Sequence, residues 1–297
     1  MIFCFYDKGT LGVVREGRVA PVPTDVVPAA ATPQQRLVAL IEGYEQAGPA
    51  LENVAAHAAS HGTPLAEVAL EAPVPAPTQL LCAVKNYSDD RQGVEADFFL
   101  KSILSIVPTG STVSLPPAQA RVFHHEPELA AVIGVGGTDI PAAEAMPHVF
   151  GYTGFLDLSA RDLGTTYYMK KSPRGFGPMG PVLVTADEFA DPHDLTVELS
   201  VNGTLRQRYS TGQMANRIER LIEVASSVSG LVPGDVIATG TYHIGMGPIQ
   251  DGDHVSMTIE GIGELAVDVV DPSRREWDVS ALKVATGPAP VRTAAAE

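Results

Sequence analysis

Residues 124–134 read His-His-Glu-Pro-Glu-Leu-Ala-Ala-Val-Ile-Gly, and the fold is decided here. The apolar run from Leu129 to Ile133, closed by Gly134, describes a buried strand. Side chains alternate along a strand, so Glu126 and Glu128 at its start point to one face. Two carboxylates entering a core side by side repel each other and lose hydration unless a cation joins them. Hard divalent cations favour oxygen donors of this kind. Alone, a Glu-x-Glu pair is far more often solvated surface. His124 and His125 either join a ligand set or face solvent at a strand edge.

Two further stretches lie downstream. Residues 151–163 read Gly-Tyr-Thr-Gly-Phe-Leu-Asp-Leu-Ser-Ala-Arg-Asp-Leu, which sets Asp157 inside an apolar stretch where an ionised carboxylate needs a partner. Arg161, four residues on, is placed for a plain ion pair with Asp157 or Asp162. Residues 170–181 form a Gly/Pro-rich loop carrying Lys170, Lys171 and Arg174 in an otherwise acidic chain. A solvated basic loop is the ordinary reading, and a clamp for a substrate carboxylate is the sharper one.

Outside these stretches, residues 1–22 read as short strands with turns near Asp7-Lys8-Gly9 and Glu16-Gly17. A Pro/Ala/Thr-rich linker precedes helical material over 33–61, with Leu37, Leu40, Ile41 and Tyr44 on one face. A second Pro-rich break at 71–79 sets a boundary. The chain divides into a small N-terminal domain (1–75), a catalytic domain (76–285) and a disordered tail (286–297). In the second part strands dominate. Residues 196–201 and 205 onward flank Asn202-Gly203, the dipeptide of a type I′ hairpin. A helix is expected over 213–229, with Gly230 as its stop. Another hairpin is expected around 261–263.

Composition narrows the function. The 297 residues are 45% hydrophobic and 19% charged, an ordinary globular balance. A net charge of −15 argues against nucleic acid and anionic membranes as partners. An anionic substrate would need local positive charge, from a metal or a buried Lys or Arg. Two cysteines, Cys4 and Cys82, exclude a disulfide scaffold and a Cys-based zinc site. The first residues show no basic region followed by a long apolar run, and no stretch approaches membrane-spanning length. A cytoplasmic location is expected. His57 and His61 have i, i+4 spacing without a third ligand nearby. No P-loop, no Gly-x-Ser-x-Gly elbow and no His-Glu-x-x-His motif occurs.

Taken in order, residues 85–87 (Lys-Asn-Tyr), 98–102 (Phe-Phe-Leu-Lys-Ser), the Glu-x-Glu strand, 151–163, 171–181 and 232–241 (Val-Pro-Gly-Asp-Val-Ile-Ala-Thr-Gly-Thr) resemble the fumarylacetoacetate hydrolase family over about 81–271. The resemblance implies a mainly β fold with some α, a mixed β-sandwich roll with a smaller N-terminal domain, and a homodimer. It implies Mg²⁺ or Mn²⁺ held by Glu126, Glu128 and Asp157. It places the family's substrate lysine on Lys171, its backbone and hydroxyl contacts to substrate on Gly240 and Thr241, and an oxyanion-positioning arginine on Arg161.

The expected chemistry follows from that ligand set. Three carboxylates leave coordination positions open where a small anionic 2-oxo acid or 1,3-diketone chelates, and a Lewis acid there stabilises an enolate. The chain departs from the family pattern in its lid. The family's His and Glu, three and six places after the Tyr, are Asp90 and Gly93 here, and the Gln three places after the Arg is Gly164. Asp90 is the candidate base for water, with Glu95 as a second. Three readings follow: a metal-dependent hydrolase cleaving a C–C bond in an acylpyruvate or 1,3-dioxo acid; a lyase or isomerase (decarboxylase, hydratase or tautomerase) on a 2-oxo acid; and a degenerate, non-catalytic metal-binding member.

Overall fold

The computed structural model of the chain describes residues 1–87, 94–118, 120, 122–161 and 163–277. The apolar run of the Glu-x-Glu stretch forms the strand Pro127–Ile133, buried along its whole length. Proline is tolerated at the first position of a strand. Leu129, Ala131 and Ile133 enter one core, while Ala130 and Val132 enter another on the opposite face. The strand therefore lies mid-sheet, pairing antiparallel with Val149–Leu156 on one side and Val236–Ala238 on the other.

From this centre the sheet extends both ways to twelve strands, mostly antiparallel. Outward from Val149–Leu156 come Gly177–Thr185 and then the N-terminal strands Ile2–Tyr6, Thr10–Arg15 and Arg18–Pro21. Outward from Val236–Ala238 come Leu80–Ala83, in parallel, and Phe98–Leu100. The chain then turns back, and Ile106–Val107 pairs in parallel with Gly177–Pro178 across the centre. The sheet is thereby curled into a roll. A five-stranded sheet, ordered Thr204–Ser210, Thr196–Val201, His254–Ile259, Gly263–Val270 and Ser111–Ser114, packs on one face. Helices Pro33–Glu42 and Tyr44–His61 cover the other. The fold is mainly β with a few helices, as expected.

Both hairpins form where turn chemistry places them. Asn202 and Gly203 have φ of 51° and 74°, the left-handed values a type I′ turn needs. The strands around 261–263 are His254–Ile259 and Gly263–Val270. The helix expected from residue 213 starts later, at Ile218. Residues 211–213 are a separate tight turn closed by reciprocal bonds of Ser210 and Gln213. The N-terminal strands share a sheet with the catalytic segment, Ile2 and Phe3 pairing with Val184 and Leu183. One sheet thus runs across the proposed boundary at 75/76. The proposed tail lies outside the described residues. Among the described residues no helix is long and apolar enough to cross a membrane.

Candidate active site

Antiparallel pairing of Pro127–Ile133 with Val149–Leu156 brings the start of one strand to the end of the other. Glu126 and Glu128 therefore meet Asp157, whose N–H donates to the Glu126 carbonyl at 2.9 Å. All three carboxylates are buried, Asp157 to 1% exposure. One oxygen from each lies within 4.8 Å of the others. They line a cavity of about 110 Å³ together with Lys85, Phe99, Arg161, Tyr167, Lys171, Gly240, Thr241 and His243.

Three cationic side chains bond to these acids. Lys171 Nζ donates to Glu126 Oε2 at 2.6 Å and Asp157 Oδ2 at 2.5 Å. Lys101 Nζ donates to Asp157 Oδ1 at 2.6 Å. Arg161 donates to Glu126 Oε1 at 2.6 Å, and Ser159 Oγ donates to the same oxygen at 2.9 Å. The Gly240 N–H donates to Glu128 Oε2 at 2.8 Å. Gly240 has φ of 88°, and a Cβ there would crowd Asn86 Cβ at 3.2 Å, so glycine suits this close approach.

The two glutamates are driven apart electrostatically. Burial raises the Glu126 carboxyl, but Lys171 and Arg161 outweigh it and hold the group at about 2. Burial, then Asp157 and Glu126, push the Glu128 carboxyl well above its ordinary range. Burial lowers Lys171, yet Asp157 and Glu126 outweigh that and keep its ammonium more strongly protonated than usual. Opposed shifts of neighbouring titratable groups in a cleft mark a functional site more often than a structural one. An all-oxygen, three-carboxylate donor set fits a hard divalent cation such as Mg²⁺ or Mn²⁺ better than zinc, which favours nitrogen and sulfur.

The residues singled out in the sequence are distributed as follows. Glu126, Glu128, Asp157, Lys171, Arg161, Gly240 and Thr241 all line the one cavity. Asp90 and Gly93 lie outside the described residues. Glu95 lines an adjoining outer chamber with Lys85, Tyr87, Tyr167 and His243. Lys170 and Lys171 sit not in an extended loop but in the short helix Tyr167–Lys171, capped by the Thr166 side chain. A helix sets neighbours about 100° apart rather than opposite, and it is Lys171 that is buried. Arg161 pairs with Glu126 rather than Asp157, because Ser159–Arg161 is a strand paired with Val122–His124. His125 does not face solvent. It is buried and shares a 2.7 Å hydrogen bond with Gln207, while the half-buried His124 accepts from Arg161 Nε at 2.9 Å.

Lys101 and His243 carried no assigned role in the sequence. Lys101 is a charge closing the apolar Phe-Phe-Leu, the kind of signal that also marked Asp157. His243 had no local pattern to reveal it.

Comparison with known proteins places the site in a family context. Residues 74–270 match the model described as fumarylacetoacetate (FAA) hydrolase C-terminal. The chain is similar to a maleylpyruvate hydrolase of Aquipseudomonas alcaligenes, 32% identical over 289 residues, covering 91% of this chain and 99% of that one. It is similar to an oxaloacetate tautomerase of Bacillus subtilis, 40% identical over 220 residues, covering 68% of this chain and 73% of that one. The crystal structure of a maleylpyruvate hydrolase from Sphingobium sp. SYK-6, in complex with manganese(II) and pyruvate, superposes with a TM-score of 0.81. It is 37% identical, and the match covers 91% of this chain and 99% of that one.

Proposed function

The chain belongs to the fumarylacetoacetate hydrolase family, and from that premise we propose that it is a divalent-metal-dependent hydrolase cleaving a C–C bond in an acylpyruvate or related 1,3-dioxo acid. The observation that carries this reading is the buried set of Glu126, Glu128 and Asp157, an oxygen of each within 4.8 Å of the others, opening on a cavity with Lys171. The likeness to a maleylpyruvate hydrolase over 91% of this chain and 99% of that one supports a hydrolytic outcome.

In this reading Glu126, Glu128 and Asp157 hold Mg²⁺ or Mn²⁺, whose charge would polarise two adjacent substrate oxygens. The Lys171 ammonium neutralises the substrate carboxylate, and its buried position fixes that group's orientation. The Thr241 hydroxyl donates to substrate oxygen, while Gly240, whose N–H holds Glu128 Oε2, shapes the adjoining wall of the substrate cavity. Arg161, about one-third exposed at the rim, supports charge developing on the distal oxygen. Water adds to the distal carbonyl carbon, the C–C bond breaks towards the pyruvoyl side, and the departing carbanion is protonated to pyruvate. Asp90 is the proposed base for water. His243 is the alternative, because it lines both chambers and desolvation lowers its imidazole from the ordinary value.

A tautomerase or isomerase is the second reading, favoured by the 40% identity to an oxaloacetate tautomerase and needing no activated water. A turnover screen with Mn²⁺ over acylpyruvates and oxaloacetate, with products weighed by mass spectrometry, separates the two. The hydrolase reading requires pyruvate and a second acid, the mass of water having been gained. Products isomeric with substrate would replace it with the second reading. Asp90→Asn and His243→Asn then identify the base, which should cost on the order of 10²-fold in turnover. A homodimer is proposed on the family resemblance, and light scattering should return twice 31.2 kDa.

A further inference from the structure

Lys101 is the most deeply buried cation at the site, its side chain 0% exposed. Burying an ammonium is costly and persists where a partner compensates it. Its bonding partners are Asp157 Oδ1 at 2.6 Å and the Leu158 carbonyl at 3.4 Å. It reaches Asp157 from behind, since the residues lining the cavity do not include it. Its stem fits a slot in the roll: a Cβ added at Gly177 would lie 3.4 Å from Lys101 Cε and 2.8 Å from Ser105 Oγ. With Oδ1 taken by Lys101, Asp157 offers Oδ2 to the cavity side, where Lys171 bonds it.

Glu126, Glu128 and Asp157 bring three negative charges, and the cations bonded to them, Lys101, Lys171 and Arg161, bring three positive ones. A divalent cation would leave this cluster with a surplus of two. We propose that Lys101 is a positioning residue that holds Asp157 by one oxygen and sets that surplus, so that the loaded site selects a dianionic ligand over a monoanionic one. The inference rests on the proposed metal site. The ligand class is a 2-oxo acid bearing a second carboxylate or an ionised enol.

The test uses Lys101→Met in the full chain, with Mn²⁺, oxalate as dianion and pyruvate as monoanion, each titrated calorimetrically. Loss of one positive charge should leave Mn²⁺ affinity unchanged or tighten it by up to roughly tenfold. Oxalate binding to the Mn²⁺-loaded protein should weaken on the order of 10²-fold and pyruvate about tenfold, because a dianion feels the lost charge twice. Lys101→Gln is the second variant. It keeps a donor for Asp157 Oδ1, so a role in charge requires the same loss of oxalate preference, whereas a mere brace would be rescued. Equal weakening of both ligands, or weaker Mn²⁺ binding with oxalate affinity of the loaded site unchanged, overturns the role of Lys101 alone. Wild-type protein that binds no Mn²⁺ overturns the metal site as well.

Discussion

Two clusters of titratable groups in this molecule have opposite meanings. At the mouth of the roll, three carboxylates converge on a cavity and three cations surround them. Beside the helix Ile218–Ser229, buried His193 sits between Asp191 and the start of that helix. Its Nδ1 lies 3.1 Å from Asp191 Oδ1, and its Nε2 is 3.2 Å from the Ile218 N–H. Arg217, the helix's own capping residue, supplies no side-chain cap, so His193 does that work from another segment. Both ring nitrogens are spent inside the fold. A buried titratable group therefore signals chemistry only where it shares with others a cavity wide enough for a ligand.

The largest expected effect falls on the carboxylates. Glu128→Ala should weaken Mn²⁺ binding by at least the roughly 10–100-fold that even outer partners of a metal contribute. Titration calorimetry showing unchanged Mn²⁺ affinity would place the mouth of the roll with His193, as a purely structural cluster. The next effect separates two adjacent lysines. Lys171→Met should raise KM and lower turnover together, on the order of 10–100-fold in kcat/KM, because a misplaced carboxylate loses its chelating geometry. Lys170→Met should leave both nearly unchanged. The reverse outcome would shift the assignment by one residue.

His193→Ala supplies the other side of the comparison. It removes the acceptor at a helix start and should cost about 1–2 kcal/mol of stability by urea unfolding. Mn²⁺ affinity should be unchanged, and a loss there would mean that the two clusters are coupled. The smallest effect is a pH dependence. The folded-state pKa of Glu128 is raised, so its protonated form favours the folded protein at low pH. That contribution is full below the ordinary value of 4.5 and is lost as pH rises through the raised one. In EDTA the melting temperature should therefore fall as pH rises above this range, by roughly 2–4 °C for each kcal/mol lost. Saturating Mn²⁺ should flatten the profile, since a cation favours the ionised carboxylate. An identical slope with and without Mn²⁺ would separate Glu128 from the metal.

Local rules settled much of this protein from its sequence. A continuous apolar run identified the strand that begins at the Glu-x-Glu pair, Asn202-Gly203 marked a hairpin, and an acid at residue 157 in an apolar stretch pointed to a buried partner. The ordered motifs carried the family, and with it the residues of the cavity. Tertiary structure decided what no local rule encodes. The helix at 218–229 starts five residues late because Ser210 and Gln213 close their own turn first. Arg161 faces Glu126 because a strand pairing with Val122, 39 residues back, turns it there. Lys101 reaches Asp157 only because the sheet curls and brings residues 56 apart into contact. Lys170 and Lys171 are chemically alike; the ordered motifs pointed to Lys171, and only the closed roll buries that one of the two. Backbone preferences act over a few residues, whereas the desolvation that gives a charge its meaning depends on every segment packed around it.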